Sequence, residues 1–226
     1  MGGFLLVVSI LLALWCLLSV AAWWRERSRL RSILVSLNGQ VRIRELADLV
    51  RIKGFLNEHI HFDIKRRHDS RPLLRHTATQ ILDSQYGFCG ENARVANLML
   101  NYGGVRSNRI YLVARNWQHV AVEQKWEGEW WYFDGHVEKM LPFEDADVAR
   151  IPSSDSERFP NQYGASPITD VSRIKLFRSI PGLRGLASLR LPSLLVVIFE
   201  SPELIKAILA LFLSLSTLAL YLSLNA

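Results

Sequence analysis

Hydrophobic positions crowd the two ends of this chain, and the charged ones lie between them. Residues 3–24 read GFLLVVSILLALWCLLSVAAWW, without a charged side chain. As a helix rising 1.5 Å per residue, such a run crosses a hydrocarbon core of about 30 Å. Trp23 and Trp24 close it, as amphipathic rings do at a lipid–water boundary, and Arg25, Arg27, Arg29 and Arg31 follow. A cleaved leader is the rival reading, with Val20-Ala21-Ala22 as a small-residue site. No basic residue precedes the run, however, and it is long for a leader, so the pattern favours an uncleaved anchor. Leu6 stands where a myristoylation signal needs Ser or Thr. A second span is predicted over 204–224, with Lys206 close enough to its end to snorkel. A surface helix would keep a polar face, whereas here the polar residues are the small Ser214, Ser216 and Thr217. Residues 191–199 are apolar but too few to span, and read as lying in the interface or packing on the domain.

The middle of the chain has the periodicities of a mixed fold. Leu30, Ile33, Leu34 and Leu37 recur at helical spacing, as do Leu46, Leu49 and Val50, with a break at Asn38-Gly39. Residues 60–64 alternate briefly. Asp69-Ser70-Arg71-Pro72 marks a turn and a helix start, predicting a helix over 73–83. The next helix opens near Cys89, carries Ala93, Ala96, Met99 and Leu100, and stops at Gly103-Gly104. Strands are predicted over 110–115, 119–126 and 130–134, the last two joined by a turn at Glu127-Gly128-Glu129. Helices followed by antiparallel strands make an α+β plan. The resulting division is an N-terminal transmembrane helix (3–24), a helical part of the soluble domain (25–84), a core (85–150), a loop or linker (151–171), a basic interfacial segment (172–200) and a C-terminal transmembrane helix (204–224).

The formal net charge of +6 would suit a nucleic-acid binder, but the arginines crowd the spans. The positive-inside rule explains them better and places the soluble domain in the cytoplasm, with no nucleic acid as partner. Between 172 and 190, basic residues mix with Leu, Ile and Phe. The segment suits either an anionic leaflet surface or a solvated linker with a few packing contacts. Two cysteines, Cys16 in the first span and Cys89 in the domain, are badly placed to form a disulfide, which fits a reducing compartment. His59 and His61 share one face of a strand-like stretch but lack a third ligand, so no metal is expected. No Gly-rich phosphate loop occurs, and no cofactor is called for.

Cys89 at the first turn of its helix would feel the amides and dipole that favour a thiolate. Ala93, Ala96 and Leu100 fall on nearly the same face and let the helix lie close to a sheet. His119, Ala121 and Glu123 point to one side of their strand, Val120 and Val122 to the other. Pairing through the turn at Gly128 would bring Asp134 near His119, where a carboxylate can orient the imidazole while the imidazole deprotonates Cys89. Each alone has a bland reading: a buried small hydrophobe, a satisfied strand histidine, a turn former. Glu91 reads as a first-turn carboxylate complementing the helix dipole.

The runs YGFCGENARVANLMLNYGGVRSNRIYLV and HVAVEQKWEGEWWYFDG resemble the core of the transglutaminase-like superfamily, thiol enzymes with a papain-like fold, here a bacterial-type membrane-anchored member. In that family a Gly-x-Cys element opens the central helix, the His opens one strand and the Asp closes the next. Cys89-Gly90-Glu91 followed by Ala93 also looks like the peptide:N-glycanase branch. The likeness covers residues 86–135, and Ala121 departs from an aromatic common two places after the His. It implies a nucleophilic Cys89, a basic His119 and an orienting Asp134. Oxyanion donors would be the Cys89 amide and either Gln85 or Trp117, with Gln85 preferred for its nearness to the thiol. The activity implied is acyl transfer or amide or peptide hydrolysis on a protein or peptide substrate. The alternative is a catalytically inactive scaffold that keeps the fold and binds a membrane protein partner.

Overall fold

A computed structural model describes residues 2–63, 75–115, 118–135, 141–142 and 168–225. Helix α1, Gly2–Asn38, runs unbroken from the apolar stretch through the arginines and stops at Gly39, whose φ of 72° favours glycine. Helix α2, Leu46–His59, is capped by Asp48, whose carboxylate accepts the Arg44 and Glu45 amides at 2.8 and 3.2 Å. A two-residue strand β1, His61–Phe62, pairs in parallel with β2, Tyr86–Gly87. Between them lies α3, Ala78–Ser84, and β2 leads directly into α4, Cys89–Tyr102.

The sheet is antiparallel throughout, with spatial order β6-β5-β4-β3-β7. Its strands are β3 (Ser107–Ala114), β4 (Gln118–Trp126), β5 (Glu129–Phe133), β6 (Leu141–Pro142) and β7 (Ile168–Ser172). Positive φ at both Glu127 and Gly128 closes the β4–β5 hairpin in two residues. Helix α4 packs on β4 and β3, as expected of a central Cys-bearing helix on an antiparallel sheet. The core joins Leu30 and Leu34 of α1, Leu49, Ile52 and Leu56 of α2, and Leu98 and Met99 of α4 with Val122 and Phe133 of the sheet. After β7 come a short helix α5 (Lys175–Arg178), a 3-10 turn (Arg184–Ser188), α6 (Ser193–Glu200) and α7 (Pro202–Asn225).

Several boundaries differ from the sequence pattern. The helix expected over 73–83 begins at Ala78, because Thr77 caps it: its hydroxyl accepts the Gln80 amide at 3.2 Å, and Gln80 Oε1 accepts the Thr77 amide at 2.8 Å. The turn expected at 69–72 lies outside the described residues. His59 is the last residue of a helix and stacks on Phe55 at 4.2 Å, so it shares no strand face with His61. Strand β7 falls partly within the stretch read as a linker. It gains its order by pairing with the edge of β3, a contact local sequence does not reveal. The segment after it is docked on the sheet: buried Arg173 reaches Glu123 with Nε and Nη2 at 2.5 and 2.6 Å, and Arg190 reaches the same carboxylate at 3.0 Å.

Helices α1 and α7 are long and apolar enough to cross a membrane, and the apolar stretch of each is mostly exposed. They pack against each other in opposite directions. At the contact the Ser9 hydroxyl donates to the Ser214 carbonyl at 3.0 Å and the Ser214 hydroxyl to the Ser9 carbonyl at 2.9 Å.

Candidate active site

Cys89 is the first residue of α4, and Phe88 immediately before it is extended. A helix opens there because the Glu91 carboxylate turns back to accept the Phe88 amide at 3.1 Å. Gly87 gives the chain room to arrive, since a Cβ there would stand 2.8 Å from Ile60. The backbone amide of Cys89, in the first turn, has no acceptor within its own helix. The helix tip rests on the start of β4, where a Cβ on Gly90 would lie 4.0 Å from Val120.

His119 is the second residue of β4, and Asp134 directly follows β5. The register Val122↔Phe133 and Glu123↔Tyr132 brings these positions to one end of the hairpin. The His119 Nε2–H donates to Asp134 Oδ2, and the Tyr132 hydroxyl donates to the same oxygen at 3.0 Å. The Cys89 side chain hydrogen-bonds with the same ring. Burial by itself would lower the pKa of His119; the Asp134 carboxylate and Cys89 outweigh it and push the ring up to about 10. Cys89, His119 and Asp134 are each at most 4% exposed. The geometry thus joins an imidazole to a carboxylate on one side and a thiol on the other.

Gln85 caps the C-terminus of α3 in the left-handed conformation (φ 57°), its carbonyl accepts the His61 amide at 2.8 Å, and the residue is exposed. Trp117 lies outside the described residues. Among the described residues no group of His, Cys, Asp or Glu is arranged to hold a metal ion.

Three features around this centre escaped the sequence reading. Tyr132 was legible in principle, because it alternates onto the same face as Asp134. Glu91 does more than complement a dipole: its second oxygen meets His76 Nδ1 at 2.6 Å, while Arg94 donates to the His76 carbonyl at 2.8 Å. Beneath α4, the buried Glu200 of α6 accepts from Arg109 and, at 3.2 Å, from Asn97, with Arg94 at 3.7 Å. Burial and the neighbouring Arg109 lower the Arg94 pKa to about 10. For Arg109, burial lowers the pKa but the Glu200 carboxylate more than offsets it, and the net shift is upward. No periodicity announces such pairs, since the partners are distant in the chain.

No family model matches the chain, and no curated protein does. Two solved structures are similar in part. One is described as a TGase, with 12% identity and a TM-score of 0.38 over 51% of this chain. The other, from Cytophaga hutchinsonii, is described as a candidate cysteine protease, with 12% identity and a TM-score of 0.41 over 64% of this chain. The aligned part spans 32% and 49% of those chains. At these scores neither likeness bears on the chemistry, which the site's own geometry has to carry.

Proposed function

We propose that the chain is a membrane-anchored thiol enzyme, an acyltransferase or an amide or peptide hydrolase, that works through an acyl-enzyme on Cys89. The observation that carries this reading is the His119 ring held between Asp134 and Cys89. With Nε2 committed to Asp134, Nδ1 is the nitrogen that carries the proton taken from the Cys89 thiol. The thiolate then attacks a substrate carbonyl carbon and forms a tetrahedral oxyanion. The Cys89 backbone amide is one donor to that oxygen, and the Gln85 side chain is the candidate for the second. The His119 imidazolium, stabilised by Asp134, returns its proton to the departing amine or alcohol. Water or an amine, deprotonated by His119, next attacks the thioester and frees Cys89. The resemblance to transglutaminase-like enzymes suggests a protein or peptide substrate, and the basic residues flanking the spans suggest a cytoplasmic domain.

One observation favours a second reading, a non-catalytic scaffold for a membrane protein partner: Cys89 and His119 are each only 1% exposed. Iodoacetamide labelling at neutral pH separates the two, using full-length protein in lipid nanodiscs with Cys16→Ala to silence the span thiol. The enzyme requires rapid labelling of Cys89 that slows by at least about tenfold in His119→Ala, the loss expected when a base that activates a nucleophile is removed. Equal, slow labelling with and without His119 sinks the enzymatic reading.

A further inference from the structure

Helix α6, Ser193–Glu200, has two faces with different fates. Val196 and Glu200, one turn apart, are buried, and Val197 packs against the core between them. At 100° per residue, Leu194, Leu195 and Phe199 fall on the opposite side. They are 71%, 39% and 54% exposed, and no polar residue lies among them. A helix of a water-soluble surface presents its polar stripe outward; this one presents only hydrocarbon. The preceding segment continues the theme, with Leu186 and Leu189 exposed, and with Lys175 and Arg184 exposed beside them. No acidic residue occurs from Arg173 to Phe199.

The two spans fix where this helix stands. Ser9 and Ser214 meet inside the paired helices. Counting outward at 1.5 Å per residue, Trp23 lies about 21 Å from that contact along α1, and Ser201 about 20 Å along α7. The two reach the same height, and Tyr102 joins them: its hydroxyl accepts the Trp23 indole N–H at 3.2 Å and hydrogen-bonds with Ser201. From this level α1 runs about 30 Å to Gly3 without a charged side chain, and α7 about 35 Å to Leu224 with Glu203 and Lys206 paired near its start, so each is long enough for a hydrocarbon core. Ser201 directly follows α6, so α6 ends where the span of α7 begins, at the edge of the hydrocarbon.

We infer that α6, with the basic stretch before it, lies in the boundary between lipid headgroups and acyl chains, its outer face of Leu194, Leu195 and Phe199 immersed in the leaflet that α7 enters. The occupant of this face is lipid, since the helix is joined to a span at its C-terminal end through Ser201 and preceded by the exposed Lys175 and Arg184. Anionic headgroups suit that charge. The consequence is positional. Glu200 is buried on the other face of α6, against Asn97 and Arg109, so the helix that carries Cys89 is seated at the membrane surface through both of its neighbours, Trp23 and Glu200. This inference is independent of whether Cys89 is catalytic.

Depth-dependent quenching tests it on the full chain in nanodiscs containing anionic lipid. A fluorophore is attached to a single cysteine in a Cys16→Ala, Cys89→Ser background, at Leu194 or Phe199 and, as a control, at Glu127 in the exposed hairpin turn. Lipids carrying a quencher high on the acyl chain should quench the α6 positions at least about threefold more than Glu127, and aqueous iodide should do the reverse, as for a helix in the interfacial plane. Iodide quenching at Leu194 and Phe199 equal to that at Glu127 overturns the inference. So does protection from both quenchers, which identifies a second copy or a protein partner as the cover. Leu194 is so exposed that labelling it leaves the fold intact.

Discussion

At the scale of residues, the coupling between His119 and Asp134 makes a pH-dependent contribution to stability. Unfolded, the imidazole titrates near its ordinary value of about 6.5. Folded, its pKa is pushed up to about 10 against the effect of burial. The contribution is therefore complete below about pH 6.5 and fades as pH climbs toward 10, since the folded state retains a proton the unfolded state has released. The expected outcome is a thermal midpoint advantage of the native protein over Asp134→Asn that is greatest near pH 6.5 and narrows steadily up to pH 10. A gap of constant size across that range would mean that His119 is neutral throughout and that Asp134 acts as a hydrogen-bond acceptor alone. Tyr132 shares the acceptor oxygen and so belongs to the same unit, although its role is to hold the carboxylate and not to touch a substrate.

At the scale of elements, α4 is held from behind by an ion cluster in which one carboxylate faces two guanidinium groups. Replacing Glu200 by Gln keeps the volume but leaves the buried Arg109 without its carboxylate partner and strips Arg94 of one of the carboxylates that act on it. Breaking such a pair costs about 3–5 kcal/mol. Urea unfolding of the Glu200→Gln protein in detergent should show that loss, and a change within about 0.5 kcal/mol would remove Glu200 from any role in seating α4. The cluster also shows where sequence reasoning stops. The two long apolar helices, α4 and the β4–β5 hairpin were legible because each is written locally, as an apolar run, a helical period closed by Gly103-Gly104, or an alternation around a glycine turn. Strand β7 and the start of α3 were not. The first depends on an edge 54 to 61 positions away, which no short window contains; the second turns on the Thr77–Gln80 capping box, a local signal that a proline-led start overshadows in the sequence. His119 and Asp134 could be named from their strand positions, whereas Arg109, Arg94 and Glu200 read as ordinary charges until the fold buries them.

At the scale of the whole molecule, the two ends of the chain form one structural unit. α1 and α7 run in opposite directions, and Ser9 and Ser214 exchange hydroxyl-to-carbonyl bonds across the contact. In hydrocarbon such bonds are modest, about 0.6 kcal/mol each, so they specify register more than they supply stability. Small side chains at the crossing let the backbones approach, and the approach sets Trp23 level with Ser201. On the placement inferred for α6, that levelling would seat the domain on the bilayer through the C-terminal half of α4, at Asn97 and Tyr102. The register has a direct consequence for cross-linking. In a Cys16→Ala, Cys89→Ser background, Ser9→Cys with Ser214→Cys should oxidise to a disulfide within a single chain in native membranes, visible as a faster-migrating monomer that reverts on reduction. Ser9→Cys with Leu222→Cys, about 12 Å further along α7, should not. A covalent dimer from the first pair, without the monomeric species, would show that each chain's spans pair with those of a neighbour. The common height of Trp23 and Ser201, and with it the inferred seat of α4 on the membrane, would then have to be built from two chains.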